Sequence, residues 1–317
     1  MPESQNNDGA VFAKPRRDLR GYGPTLPSLR WPNGAGLALN FVLNIEEGSE
    51  YSFENGDGRT DKALIEVRGP RVPEDQRDLA AESMYEYGSR VGFWRLYRLF
   101  RDRNLPITVF ASALALELNT EITKAIAETD WDICAHGWRW EEHYLLEPKT
   151  EAARIDQAFT SIRDSIGREP RGWYCRYAPS EATRELVAAH GGFLYDSDSY
   201  CDDIPYWVSA SGKPHLVVPY SMVTNDAKFL GGDVYTGPHY ADFLIDTFEV
   251  LLAESATMPR MMSVGMHPRV IGHPGRVAGL MRFLDHVKGR KDVWIAGRQA
   301  IARHWAEQLP ANGTESG

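Results

Sequence analysis

The sequence predicts an α/β fold in which mostly parallel strands alternate with helices. Short apolar runs of strand length recur along the chain, and stretches with apolar residues at helical spacing lie between them. With 317 residues, of which 43% are hydrophobic and 25% charged, the chain can bury a large core. These observations favour a single-domain parallel-stranded barrel or doubly wound sheet.

Eight segments have the short apolar character of buried strands. They are residues 37–43, 107–113, 132–135, 172–176, 193–196, 216–219, 261–266 and 293–296. Five segments carry a helical pattern of apolar residues. They are residues 93–100, 150–166, 180–190, 240–252 and 276–287. The first of these helices is predicted to close before Asn104 and Pro106, because proline cannot continue a helix.

Three further stretches lack such periodicity. Residues 48–73 are long, polar and glycine-rich, and loops of this kind are commonly lids or assembly surfaces. Residues 1–13 and 309–317 are predicted to be disordered tails. The domain itself is expected to span residues 14–308.

Charge and cysteine usage limit the classes of partner and compartment. The formal charge of −9 argues against a nucleic acid or an anionic membrane as partner. Cys134, Cys175 and Cys201 are a sparse, odd set, which is typical of a reducing compartment. Residues 1–8 are polar, and the longest apolar run, residues 107–116, is too short to cross a bilayer. The sequence therefore predicts a cytoplasmic protein.

Side chains able to perform hydrolytic chemistry follow three of the predicted strands. Glu46 and Glu47 come shortly after the first strand, His136 after the third and His267 after the seventh. In parallel barrels the carboxyl ends of the strands form the active site, so we expect these side chains to meet at one mouth. A carboxylate and two imidazoles can activate water and protonate a leaving group.

Taken singly, each of these residues also has a structural interpretation. Two adjacent glutamates after a strand are usually solvated, and an isolated histidine is as often a hydrogen-bonded core residue as a catalytic one. Trp138 and Trp140 are most simply core or rim aromatics, although a flat heterocycle could stack on them. Their common location at strand ends favours function.

The histidine motif is poorly suited to a metal. Two His four residues apart can clamp a divalent ion together, but the residue four positions after His136 is Trp140, whose indole cannot ligate. His143 could replace the missing ligand if the segment were helical. Because it ends the charged run Glu141-Glu142-His143, we expect it to be exposed instead. The sequence therefore predicts no metal and no other cofactor.

Five motifs occur in an order that is hard to obtain by chance. They are Glu46-Glu47, the His136 segment, Gly172-Trp173-Tyr174-Cys175-Arg176, Asp196-Ser197-Asp198 and Met266-His267. In these motifs and their order the chain resembles the polysaccharide deacetylases. That family normally carries Asp-Asp in its first motif and His-x-x-x-His in its second, and one Asp and both His hold a divalent metal.

The departures from that pattern match one branch of the superfamily, the cofactor-independent allantoinases. These proteins have the same Asn-x-Glu-Glu-Gly and His-Gly-aromatic-Arg-Trp segments. Further similar segments are residues 17–23, 85–90, 192–198 and 301–305, so the resemblance covers roughly residues 14 to 306. It implies a distorted (β/α) barrel of the polysaccharide deacetylase type.

The resemblance also implies an activity and roles for individual residues. The implied reaction is hydrolysis of the hydantoin ring of allantoin to allantoate, in purine and ureide catabolism, by a homotetramer. The implied catalytic roles are Glu46 as general base, His136 as the group that orients water or the oxyanion, and His267 as the acid for the leaving nitrogen. The substrate-binding residues would be Glu47, Trp138, Trp140 and Arg176, with Asp196 and Asp198 supporting the site from behind.

Three alternatives remain open on the sequence. A cyclic imide hydrolase could use the same scaffold, with substrate choice decided by pocket contacts. A metal-dependent N-deacetylase of carbohydrate or peptidoglycan would need a metal that this motif holds poorly. A non-catalytic binding protein that has lost its metal is disfavoured, because both histidines and the acid pair are retained.

Overall fold

The structure of the protein is a computed structural model that describes residues 17–311 except Arg68, Pro70 and Arg71. The predicted tail over residues 1–13 and residues 312–317 of the predicted C-terminal tail lie outside the described residues. No helix in the described part of the chain has the length and apolarity needed to span a bilayer.

Nine strands of the described chain form one curled sheet. Their bounds are β1 Leu37–Ile45, β2 Thr108–Ala111, β3 Asp132–Ala135, β4 Gly172–Trp173, β5 Tyr195–Asp196, β6 Tyr206–Ala210, β7 Lys213–Val217, β8 Arg260–Met266 and β9 Val293–Ile295. The order across the sheet is β6-β7-β5-β4-β3-β2-β1-β8, with β9 paired to β1. All pairs are parallel except β6 with β7. The predicted α/β fold, a distorted barrel in one domain, is confirmed.

Helices cover the outside of this sheet. Their bounds are α1 Leu79–Tyr87, α2 Phe93–Arg101, α3 Ala113–Leu118, α4 Thr120–Ala127, α5 Pro148–Ile166, α6 Thr183–His190, α7 Lys228–Gly231, α8 Gly237–Glu254, α9 Pro268–Ile271, α10 Pro274–Val287 and α11 Arg298–Gln308. A π-helical turn, Gly88–Gly92, joins α1 to α2. A Cβ atom on Gly92 would lie 2.0 Å from the carbonyl oxygen of Pro268, so glycine is required where this turn meets α9.

Strand β1 is the central strand and sets the geometry of the site. All nine of its residues are buried, as expected for a parallel strand covered on both faces. Its odd-numbered residues, from Leu37 to Ile45, belong to the core beneath the helices, whereas Ala38 and Val42 belong to the core inside the curled sheet. Side chains alternate along a strand, so the even-numbered residues face the barrel interior.

The structure differs from the predicted elements in two informative places. The strand predicted over residues 107–113 ends at Ala111, and α3 begins at Ala113. Strand β6, which was not predicted from the sequence, is half-exposed and has only the short apolar run Tyr206-Trp207-Val208. It forms a hairpin with β7 through Ser211 and Gly212, whose φ values of 50° and 68° are typical of a tight hairpin turn.

Candidate active site

Glu46 lies at the carboxyl end of β1, buried among three basic side chains. Its Oε1 atom is 3.0 Å from Nε2 of His136 and 3.5 Å from Nε2 of His267. Its Oε2 atom accepts a hydrogen bond of 2.7 Å from Nη2 of Arg269. The structure therefore brings together Glu46, His136 and His267, as predicted from their location at strand ends.

Hydrogen bonds behind the two imidazoles fix their orientation. Nδ1–H of His136 donates to the carbonyl oxygen of Tyr174 at 2.9 Å. Nδ1–H of His267 donates to Oδ1 of Asp226 at 2.6 Å. Because a carbonyl or carboxylate oxygen only accepts, both Nδ1 atoms carry hydrogen, and both Nε2 atoms are left to face Glu46.

The charges of the site separate an acid from a base. Burial alone would raise the pKa of Glu46, but the cations of Arg269 and His267 hold it well below its ordinary value. Burial alone would lower the pKa of His267, but the carboxylates of Asp226 and Glu46 raise it to about 9. At neutral pH the site therefore pairs an ionised carboxylate with a protonated imidazole.

These three residues open onto a cavity of about 560 Å³. Its other walls combine aromatic surface with amide, hydroxyl and guanidinium groups. They comprise Asn44, Ala63, Leu64, Trp140, Glu142, Tyr144, Tyr174, Arg176, Tyr177, Ala178, Tyr220, Met222 and Asn225. Leu64 and Ala178 adopt positive φ values of 51° and 84°, a backbone conformation that is uncommon for residues other than glycine. Such a cavity suits a small planar molecule rich in hydrogen-bonding groups.

Two of the predicted substrate-binding residues are not among those that line this cavity. Glu47 is absent from the cavity wall, and its Oε1 atom accepts from Nη1 of Arg269 at 3.2 Å. Trp138 is half-buried outside the cavity, with the guanidinium of Arg154 4.3 Å from its ring centroid.

Arg176 and Trp140 do line the cavity, but Arg176 already has a partner. Its Nη1 and Nη2 atoms bind both carboxylate oxygens of Asp61 at 2.5 and 3.3 Å. The same guanidinium lies 3.8 Å above the ring of Trp140. Ala63 and Leu64, which follow Asp61 closely in sequence, also line the cavity, so this pair holds residues 61–64 at the cavity wall.

Asp196 and Asp198 lie behind the site. Asp196 binds Nε of Arg184 at 2.7 Å and Nε2 of His215 at 2.9 Å. Oδ1 of Asp198 accepts from the backbone N–H of Cys175 at 3.0 Å, next to the residue whose carbonyl oxygen orients His136. Burial, reinforced by the charge of Asp196, raises the pKa of Asp198 to about 8. This placement suits the supporting role predicted for both.

Sequence reasoning missed Arg269 and Asp226. Arg269 was within reach of the motif, since it lies two residues after His267 in the sequence Met-His-Pro-Arg. Asp226 lies in an irregular stretch that is brought beside β8 through a bridge between Asn225 and Gly265. The sequence around it has no pattern that would predict a role in the site. Both residues act on the site through contacts that are distant in sequence.

The prediction that Glu141 to His143 form an exposed charged run was wrong. Glu141 is 6% exposed and His143 is fully buried. Nδ1 of His143 lies 3.1 Å from Oε1 of Glu151 on α5, which accounts for its burial. His143 does not line the cavity and is not a replacement ligand.

The residues present do not suit the divalent metal of the usual deacetylase motif. The Nε2 atoms of His136 and His267 both face Oε1 of Glu46. The carboxylates of Glu46 and Glu47 both bind the guanidinium of Arg269. Trp140 stands at the position of the second histidine with its ring 5.1 Å from that guanidinium. Among the residues described, no cluster of three or more His, Cys, Asp or Glu side chains is arranged to hold a metal ion.

The chain is similar in sequence to known polysaccharide deacetylases. Residues 75–194 match the family model for polysaccharide deacetylase. A Schizosaccharomyces pombe protein named "Putative polysaccharide deacetylase" is 34% identical over 314 residues, which cover 93% of this chain and 98% of that protein.

Solved structures agree over nearly the whole chain. A probable polysaccharide deacetylase from Pseudomonas aeruginosa PAO1 is 42% identical, with 93% of this chain and 99% of that chain covered and a TM-score of 0.90. A structure named Puue Allantoinase is 40% identical, with 95% and 100% covered and a TM-score of 0.90. On this similarity over almost their full lengths, the chain belongs to the polysaccharide deacetylase family.

Proposed function

We propose that this protein is an allantoinase, which opens the hydantoin ring of allantoin to give allantoate without a metal. The observation that carries the proposal is the buried Glu46, which faces two oriented imidazoles at the wall of the cavity. The 40% identity to Puue Allantoinase over 95% of the chain supports the choice of substrate. The residues that disfavour a metal site, Trp140 and Arg269, support a metal-independent reaction.

The proposed reaction adds water across one ring amide. Glu46 holds a water molecule and accepts its proton as the oxygen attacks the ring carbonyl next to the carbon that bears the ureido group. The carbon–nitrogen bond of that amide then breaks. His267, which is protonated at neutral pH because its pKa is about 9, gives its proton to the departing ring nitrogen. The products balance as a new carboxylate and a second ureido group.

The remaining polar groups of the cavity orient the ring. His136 turns its Nε2 atom toward the site and orients the water, while Asn44, Tyr220 and Asn225 provide amide and hydroxyl groups along one wall. The rings of Trp140, Tyr174 and Tyr220 add apolar surface to the cavity walls. The ureido arm has donors and acceptors that a bare imide lacks, so polar groups in the cavity can discriminate between them.

Two rival activities use the same residues differently. A cyclic imide hydrolase would act on a ring without the ureido arm, and the acid and base proposed here would serve it equally well. A carbohydrate or peptidoglycan N-deacetylase acts on an unstrained acetamide, for which the family normally uses a divalent metal. The guanidinium of Arg269 beside both glutamates disfavours that chemistry.

We further propose a cytoplasmic location, a place in purine and ureide catabolism, and self-association to a homotetramer. The sparse free cysteines Cys134, Cys175 and Cys201 support a reducing compartment. Sedimentation equilibrium of the purified protein tests the tetramer, and a monomer at micromolar concentration would contradict it.

The decisive experiment compares substrates side by side on purified protein. Allantoin, succinimide, glutarimide, dihydrouracil and N-acetylglucosamine oligomers are assayed, and we expect the highest kcat/KM for allantoin. If an imide is turned over at least about tenfold more efficiently, a difference of about 1.4 kcal/mol in transition-state binding, the imide hydrolase replaces this proposal.

The same preparation tests metal independence. We expect full turnover after exhaustive chelation. Stoichiometric zinc, together with activity that is abolished by a chelator and restored by metal, would contradict it.

A further inference from the structure

Arg269 is placed to act on the catalytic carboxylate without reaching the cavity. It lies on α9, two residues after His267, and is only 3% exposed. Nη2 donates to Oε2 of Glu46 at 2.7 Å, Nη1 to Oε1 of Glu47 at 3.2 Å, and Nε to the carbonyl oxygen of Leu64 at 3.1 Å. All three nitrogens of the guanidinium are thereby engaged.

Aromatic rings hold the guanidinium on its faces. Its central carbon lies 4.7 Å from the ring centroid of Tyr85 and 5.1 Å from that of Trp140. A guanidinium between aromatic faces is stabilised by cation–π attraction and keeps its hydrogen-bonding fork in one orientation. Trp140 therefore has a positive role at the position of the family's second histidine, because its ring packs against the guanidinium that binds Glu46 and Glu47.

Several acidic groups surround the guanidinium of Arg269. The titratable groups that face the cluster are the carboxyls of Glu46, Glu47 and Glu50, the phenol of Tyr85, and the imidazoles of His136 and His267. Two adjacent buried carboxylates repel each other and are costly to ionise without a nearby cation. The imidazole of His267 can lose its charge by deprotonation, whereas a guanidinium cannot.

We propose that Arg269 is the positioning residue that supplies the permanent positive charge of this site. It holds Oε2 of Glu46 so that Oε1 is presented to His136 and His267, and its charge balances the carboxylates of Glu46 and Glu47. The expected effect of Arg269 on kcat/KM rests on the allantoinase activity proposed above, but its expected effect on the ionisation of Glu46 does not.

The test uses one variant without the positive charge at position 269, one that keeps the charge but changes the hydrogen-bonding geometry, and one control variant at another arginine. Arg269→Gln removes the cation, Arg269→Lys keeps the charge without the fork, and Arg276→Gln removes an arginine that pairs with the partly exposed carboxylate of Glu66 at 2.6 and 2.9 Å away from the cavity. The double variant Arg269→Gln with Glu47→Gln removes one buried carboxylate as well, so a folded protein is available if the single variant is unstable.

Two measurements are made on each variant. Carboxyl ¹³C NMR of glutamate-labelled protein, with Glu46 assigned by its Gln variant, follows its ionisation in the absence of any substrate. The pH dependence of kcat/KM on allantoin follows the same group during turnover.

In wild type and in the Arg276 and Lys variants we expect Glu46 to remain ionised down to the acid limit of folding. In both Arg269→Gln proteins we expect it to titrate above 4.5, the ordinary value for glutamate. We then expect kcat/KM to fall by about tenfold at a pH one unit below that titration midpoint, with KM changed by less than about threefold and the loss shrinking as the pH rises.

Two results overturn the inference. One is a Glu46 signal that stays ionised as in wild type when Arg269 is Gln in either protein, and the other is an equal loss of turnover at every pH. Absence of turnover on allantoin in the wild type, with the NMR shift present, refutes the proposed function and leaves the role of Arg269 standing.

Discussion

The pair formed by His267 and Asp226 predicts a pH-dependent defect for Asp226→Asn. Oδ1 of Asp226 accepts from Nδ1–H of His267 at 2.6 Å, and Oδ2 accepts from the backbone N–H groups of His267 and Ile271 at 2.7 and 3.0 Å. An asparagine has one acceptor oxygen, so its NH₂ group must face donors on one side. The substitution removes the negative charge as well as part of this hydrogen bonding.

The expected magnitude follows from the charge of His267. The Asp226 carboxylate and Glu46 together raise its pKa to about 9, while burial opposes them. If the pKa falls to the ordinary 6.5, the change is worth about 3.4 kcal/mol at about 1.36 kcal/mol per pKa unit. At pH 8 about nine tenths of the wild-type imidazole is protonated, against about 3% in the variant.

The assay is kcat/KM on allantoin at pH 6 and pH 8. If protonated His267 is the acid, the variant loses about thirtyfold at pH 8 from its charge alone and less than about twofold at pH 6. Asp233→Asn, which removes a carboxylate from an exposed pair with Lys228, is the matched control and should lose nothing at either pH. An equal loss at both pH values would refute the reasoning, because it would mean that Asp226 positions His267 without setting its charge.

Further tests follow from the same contacts. Glu46→Gln and His267→Ala should each lower kcat by about a hundredfold or more with unchanged circular dichroism, and near-normal turnover would remove that residue from the mechanism. Asp61→Asn and Arg176→Gln should raise KM to a similar extent if their pair holds residues 61–64 at the cavity wall, whereas a rise confined to the Arg176 variant would indicate direct substrate binding by that arginine. The raised pKa of His267 contributes stability below pH 6.5 that is lost as the pH rises through about 9, so the gap in unfolding free energy between wild type and Asp226→Asn should narrow over that range.

The sequence by itself determined the fold class and which side chains could meet at the candidate site. A parallel strand that is buried on both faces needs a continuous run of apolar residues, so such runs predict β1 and β8 from the sequence. The carboxyl ends of such strands converge, so Glu46, His136 and His267 could be expected to meet although they lie far apart in sequence. The order of motifs then identified the family.

Only the tertiary structure decided which of the predicted residues reach the cavity. Glu46 and Glu47 are neighbours in sequence, but Glu46 lines the cavity beside the imidazoles, whereas Glu47 does not line it and binds the guanidinium of Arg269. Arg176 has the fork expected of a substrate ligand, yet Asp61 from a segment without periodicity occupies that fork.

The residues that set the charges of the site were also decided by tertiary structure. Arg269 lies 223 positions from Glu46, and Asp226 lies 41 positions from His267. Local patterns of hydrophobicity report which face of a strand or helix is buried. They carry no information about which charged groups from distant segments share that buried space, because the pairing depends on how the elements pack.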